Sequence, residues 1–456
     1  MLIEYSFQVF AFALLFLITS TFIKINRPKN SQYFNIFLKL VLVITLYVSF
    51  FALTITFGRT IFIIAILALI FTLKQKLISF TIPNFKKGIS ENLLPLILVF
   101  PVLLVQFILN YDFYYKNPYV VSDDIYLYAT IGNQMLSYGQ ENTSAFLSYF
   151  YKNDFSGIQP YHYFEIWLNA FVSFINQKSH VYNLIFISYT LLLWILLLGY
   201  LALCEKFKIH KKIYIIIMPI LLFIGPIYLN TYSTLFNDGN LFNSAVFTIT
   251  GFVKQTLPLS FYGQKHLPIY IFSILLINSY LISNTRLIFF SITMLCVASI
   301  GVFPGMVFLS FYILVTNKKI RQLYTFKSIS VLILFVVILK IFEIGVAHEI
   351  NYKTSYVTYF LKYLNWKGEI LFMLEKLFFP LFWFSVLYFP FIIVFYKLKK
   401  VKPSSFFIYL LIIYLGGTLF TLTIYGINSD QFLTNLLPIF NVCVVFLHLN
   451  LLKFIF

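Results

Sequence analysis

Acidic side chains are what this chain has least of: 15 Asp and Glu stand against 33 Lys and Arg, and only 11% of residues are charged. An ordinary globular domain is about a quarter charged and nearer half apolar. Here 61% of the 456 residues are hydrophobic, with a mean hydropathy of +0.89, which excludes a soluble domain. Cysteine is scarce too. Cys204, Cys296 and Cys443 lie within or at the edge of apolar runs, so neither a disulfide framework nor a cysteine zinc site is indicated. The opening MLIEYSFQVF lacks a basic leader and a small-residue cleavage site, and reads as an uncleaved first span. There is no Gly/Ser linker, no separate soluble domain and no sequence repeat that would favour an inverted-repeat transporter.

What the chain has instead is a succession of apolar runs near membrane-spanning length. Candidate spans are 7–23, 36–57, 60–73, 93–109, 181–203, 213–229, 267–282, 287–302, 305–316, 329–342, 377–396, 406–424 and 432–451. The expectation is an all-α integral membrane protein, 1–456 as one polytopic domain, with about thirteen helices in a range of eleven to fourteen. The shortest runs, around GVFPG at 301–305, allow a tight hairpin or a broken helix.

Charge distribution orients these spans. Lysines cluster between apolar runs, as in KINRPKN (24–30), KFKIHKK (206–212), NKKIR (317–321) and KLKKVK (397–402). With the N-terminus outside, 20 Lys and Arg fall in six cytoplasmic loops, the positive-inside pattern, and the C-terminus is cytoplasmic. Nucleic acid would require a contiguous basic face, which the sequence lacks. Thirteen of the 15 acids fall outside, leaving only Glu91 and Glu205 within. Acids contribute little to topology, so their segregation points to an external functional surface. The outer loops are 110–180, 231–266, 343–376 and a short one at 425–431.

The longest loop contains VSDDIYLYA, where Asp123 and Asp124 stand side by side. Ile125, Tyr128, Ala129, Gly132, Met135 and Leu136 recur at three- and four-residue spacings, predicting an amphipathic helix that ends near Gly139. Ser122 would cap it, with both aspartates favourably placed against the helix dipole. The pair has a chemical reading as well. Carboxylates near a low-dielectric surface become better bases, and two together can hold a divalent cation, magnesium or manganese, with phosphate oxygens. A second helix is predicted at about 161–175, YHYFEIWLNAFVSFI, apolar enough to lie in the bilayer interface. His162 and Glu165 share one face of it; they could bind a metal, position an acceptor or pair with each other.

Asp123-Asp124, the tyrosines after them, Ala129, Met135 and Gly139 resemble the acidic motif and following helix of the GT-C glycosyltransferases. These are multi-span enzymes that use polyprenyl-phosphate-linked sugars, and their first outer loop opens with an Asp-Asp or Asp-Glu pair. The resemblance implies a GT-C-like fold and sugar transfer to a lipid, glycan or protein acceptor. It further implies a site on the external face of a bacterial inner membrane, with Asp123 or Asp124 as base or metal ligand. It covers the first outer loop and the general topology only. The pair follows the fourth span rather than the first, the second acid is Asp where many relatives carry Glu, and QPYHYFEIWLNA replaces a Pro-rich segment.

Three further positions complete the candidate site. Gln264, Lys265 and His266 begin the span at 267, at about the depth of a lipid phosphate. Lys265 and His266 are donor-phosphate ligands on this reading, with Gln264 a neutral donor; on the other they are a snorkelling lysine beside a structural histidine. Asp238 reads as an exposed turn residue or as a further acid completing a metal site. Asp430, just outside the last span, is either a polar end-marker or a substrate-hydroxyl contact. Rival functions are an O-antigen or capsule polymerase, and a lipid-linked oligosaccharide flippase or transporter. The first leans on external arginines, and Arg59 alone falls outside; the second requires ionisable groups mid-span, where Lys39, Lys340 and His448 are the main candidates. A catalytically inactive structural protein is a third.

Overall fold

The computed structural model describes residues 2–25, 32–55, 60–74, 77–80, 93–104, 123–138, 164–209, 263–282 and 284–299, with isolated positions at 302, 306, 438, 439, 442 and 449. The described chain is mostly helical. Its helices are α1 (Leu2–Thr21), α2 (Gln32–Ile55), α3 (Thr60–Lys74), α4 (Leu93–Leu104), α5 (Asp123–Tyr138) and α6 (Phe164–Asn176). They continue with α7 (His180–Lys206), α8 (Gly263–Leu281) and α9 (Thr285–Ala298). Three, at Ile3–Thr21, Gln32–Ile55 and His180–Lys206, are long and apolar enough to cross a membrane. The expected spans at 213–229, 329–342, 377–396 and 406–424 lie outside the described residues, as do 305–316 and 432–451 but for those isolated positions, the 231–266 loop up to 262 and all of 343–376.

α7 is the axis of the bundle, buried from Asn183 to Cys204 between α2 and α8. Gly199 permits that approach: a Cβ there would lie 2.9 Å from Phe37 Cε2 and 3.1 Å from Ile274 Cγ2. Ser188 and Tyr200 are also buried within it. The indole N–H of Trp194, fully buried, donates to the Pro95 carbonyl of α4 at 2.9 Å, the partner a buried tryptophan requires. Residues 183–188 form a π-turn inside α7. Hydroxyls in the apolar helices bond back one turn: Thr190 to Phe186 O, Ser273 to Ile269 O, Ser279 to Leu275 O, Ser291 to Leu287 O. No water competes there, so the i−4 carbonyl is the nearest acceptor.

The all-α expectation needs one correction. The first span stops at Thr21, and Ile23–Ile25 (β1) pairs antiparallel with Ile78–Phe80 (β2), Ile23 opposite Phe80 and Ile25 opposite Ile78. β-branched residues favour the extended form, and Ile23 and Ile78 are both buried against the bundle. The ladder ties the ends of α1 and α3 together, and β1 also touches α2. Glu205, near the end of α7, accepts the backbone N–H groups of Gln32 and Tyr33 at 2.7 and 2.8 Å. Arg286 at the start of α9 donates to Thr72 O at 2.5 Å. The loops expected on one side, 24–35, 74–92, 204–212 and 283–286, thus share one end of the bundle at each described point. At α1's opposite terminus, Glu4 pairs with Lys178 at 2.7 Å.

Candidate functional site

α5 spans Asp123–Tyr138, with Asp124 as its second residue; the expected end, Gly139, lies outside the described residues. The predicted cap, Ser122, lies outside the described residues. One face of α5 is sealed by Ile125, Tyr128, Ala129, Ile131 and Met135, each at most 3% exposed, as the three- and four-residue spacing requires. That face rests on α6 and on the first turn of α7.

Its closest approach is at Gly132. A Cβ there would meet His180 Nδ1 at 3.0 Å and Asn169 Nδ2 at 3.4 Å. Asn169, fully buried on α6, donates from Nδ2 to the His180 carbonyl at 3.2 Å. Glu165 lies four residues earlier on the same α6 face, 1% exposed. Tyr189 of α7, also buried, lies within the electrostatic reach of Glu165. Asn169 and His180 therefore sit under the middle of the helix that Asp123 and Asp124 open, with Glu165 one turn away on α6. Nine residues separate Asp123 from Gly132, so the pair stands ~14 Å along the axis from that contact at 1.5 Å per residue.

α6 differs from the helix expected at 161–175. Described over Phe164–Asn176, it is buried on every side from Phe164 to Ser173 instead of lying exposed along the interface. Aromatic packing explains this. Phe171 lies 6.4 Å from Phe12, 5.3 Å from Tyr47 and 5.6 Å from Phe51, and Trp167 is 6.1 Å from Phe51. Edge and tilted contacts of this kind add about 0.5–1.5 kcal/mol each beyond area burial. At its other end Phe164 meets Phe272 of α8 edge-on at 5.1 Å.

That contact brings a second predicted segment toward the first. Gln264, Lys265 and His266 lie in the first turn of α8 rather than ahead of it, and His266 is buried at 8% exposure. Pro268 lacks an N–H, so the Gln264 carbonyl has no donor four residues on. His266 precedes Phe272 by six residues, ~9 Å of helix. α6 is thus the shared support of both groups: α5 with the aspartates on one side, α8 with Lys265 and His266 on another. His162, Asp238 and Asp430 lie outside the described residues.

Among the described residues no three His, Cys, Asp or Glu side chains gather into a metal-ligating group. Two adjacent carboxylates supply fewer oxygens than the about six a hard divalent cation takes, so a cation on Asp123 and Asp124 needs further ligands from phosphate or from other segments. Cys204 and Cys296 are buried free thiols, as their apolar settings implied. Asn169 and His180 escaped the sequence reading. The i, i+4 spacing of Glu165 and Asn169 was the available signal; nothing local marks His180, which comes close through the turn after α6.

That turn is firmly held. Asn183 Nδ2 donates to Ser173 Oγ, Asn176 Oδ1 and the Lys178 carbonyl at 2.8, 2.9 and 3.0 Å, while Asn176 Nδ2 returns a bond to Asn183 Oδ1. Ser179 caps the start of α7 through the Tyr182 N–H at 3.2 Å. Gln177 takes a left-handed conformation, φ 55°, to make the reversal. No protein-family model, no curated protein and no solved structure matches this chain.

Proposed function

We propose that this chain is a membrane glycosyltransferase of the GT-C type, with about thirteen spans, moving a sugar from a polyprenyl-phosphate-linked donor to a lipid, glycan or protein acceptor. Its site lies at the external face of a bacterial inner membrane. Asp123 takes the acceptor hydroxyl's proton as that oxygen attacks the anomeric carbon, and Asp124 assists. Lys265 and His266 balance charge on the departing lipid phosphate, with Gln264 beside them. His162, Glu165 and Asp430 line the acceptor side.

One observation supports this reading above others. The helix that starts at the Asp-Asp pair is seated on α6, which also packs against the helix carrying Lys265 and His266. A base and a phosphate-binding cation on two helices that share one support is the arrangement displacement from a lipid phosphate needs. The buried Glu165 and Asn169, with the half-buried His180 beside them, favour a second reading, a flippase for lipid-linked oligosaccharide, since polar groups inside a bundle mark substrate pathways.

Purified protein assayed with polyprenyl-phosphate sugars separates the two. Asp123→Asn is expected to lose at least about 100-fold in transfer rate, the usual worth of a positioned general base, with donor binding retained. Wild-type transfer by both Asp123→Asn and Asp124→Asn would remove the base assignment. Movement of an intact lipid-linked sugar across vesicles, without transfer, would favour the flippase.

A further inference from the structure

We propose that the rim of the β1–β2 ladder is a binding site for an anionic phospholipid, held by Lys74 and Arg286 and flanked by Phe71 and Phe80. Three observations converge on this rim. Lys74 closes α3 with its Nζ 5.3 Å from the Phe80 ring centre and 5.8 Å from that of Phe71. Arg286 reaches the same turn, giving one N–H to Thr72 O at 2.5 Å; a guanidinium has five such donors in a planar fork suited to phosphate. No carboxylate among the described residues pairs with either cation. Glu205, the acid near α7's end, is engaged with the first N–H groups of α2.

The apolar half of the site is equally specific. Phe71 is 56% exposed and Phe80 47%. They lie beside Lys74, on the turn whose Thr72 carbonyl Arg286 bonds, so an acyl chain could cover the rings while the phosphodiester meets Lys74 and Arg286. A free phosphate would use the cations and leave the aromatic flank bare. Lys24 sits opposite Ser79 in the ladder, one register position from the Ile23–Phe80 pair, and is exposed. It adds positive potential on the outer side of the same strands. Basic residues at a membrane surface attract anionic headgroups additively, and a rim with an aromatic flank turns that attraction into a site. The inference is independent of any catalytic activity.

Native mass spectrometry of the full-length protein, released from micelles supplemented with phosphatidylglycerol or phosphatidylcholine, tests it. Wild type is expected to retain phosphatidylglycerol over phosphatidylcholine, and Lys74→Gln/Arg286→Gln to bind it roughly tenfold more weakly. Phe71→Ala/Phe80→Ala should also weaken lipid binding. Lys74→Arg/Arg286→Lys keeps the charge, should restore binding, and guards against a folding defect. Unchanged phosphatidylglycerol retention by the glutamine pair would overturn the proposal. So would equal retention of both lipids by wild type, or displacement of the lipid by millimolar inorganic phosphate.

Discussion

Glu205 illustrates how much one acid does in a chain that has few. Each of its carboxylate oxygens takes one backbone N–H from the first turn of α2, satisfying two of the donors every helix start leaves open. The partners are 173 and 172 residues away in sequence, so the cap is invisible to any local pattern, and α2 begins four residues before the expected 36. Glu205→Ala should lower the thermal midpoint in detergent by an amount equivalent to roughly 1 kcal/mol. Glu205→Gln keeps one acceptor oxygen and should lose about half as much. An unaltered midpoint in the alanine variant would mean that water replaces the carboxylate without loss.

At the scale of elements, the reversal from α6 into α7 decides where His180 and Asn169 stand relative to α5. The amide pair Asn176–Asn183 and the bonds from Asn183 to Ser173 and Lys178 lock it. Asn183→Ala removes one side of all four contacts and leaves a buried serine hydroxyl short of its donor. The expected cost is about 2 kcal/mol, read as a lower unfolding midpoint together with faster tryptic cleavage at the exposed Lys178. Cleavage at the wild-type rate would show that the turn is held by the helices around it. The amphipathic period of α5 was plain in the sequence, since one face of it meets protein. That of α6 misled, because its polar stripe, Glu165, Asn169 and Ser173, faces protein rather than water.

For the whole molecule, the bundle imposes a topological test. The β1–β2 ladder, the Glu205 bonds and the Arg286–Thr72 bond put residues 23–25, 78–80 and 205 on one side of the bundle, where the basic segments that adjoin them in sequence are expected to follow. Reporter fusions at 28 and at 210 must therefore give the same location, and the positive-inside pattern makes it the cytoplasm. A reporter within 140–155 must give the opposite side. Opposite results for the two basic clusters would break the bundle described here. The same result for 140–155 would put the aspartates on the wrong face for an external lipid-linked donor.

Composition and periodicity by themselves determined that this chain belongs in a bilayer and that a helix follows the Asp-Asp pair, because burial in lipid and helix amphipathicity are both written locally. Tertiary structure alone decided that α6 is covered by protein and that Glu205 caps a distant helix. It also decided that short β-strands join α1 to α3, and that Gly132 meets His180 beneath the aspartate-bearing helix. Each of those rests on contacts between residues far apart in sequence, where the free energy of packing and of satisfying buried polar groups overrides what any single segment prefers.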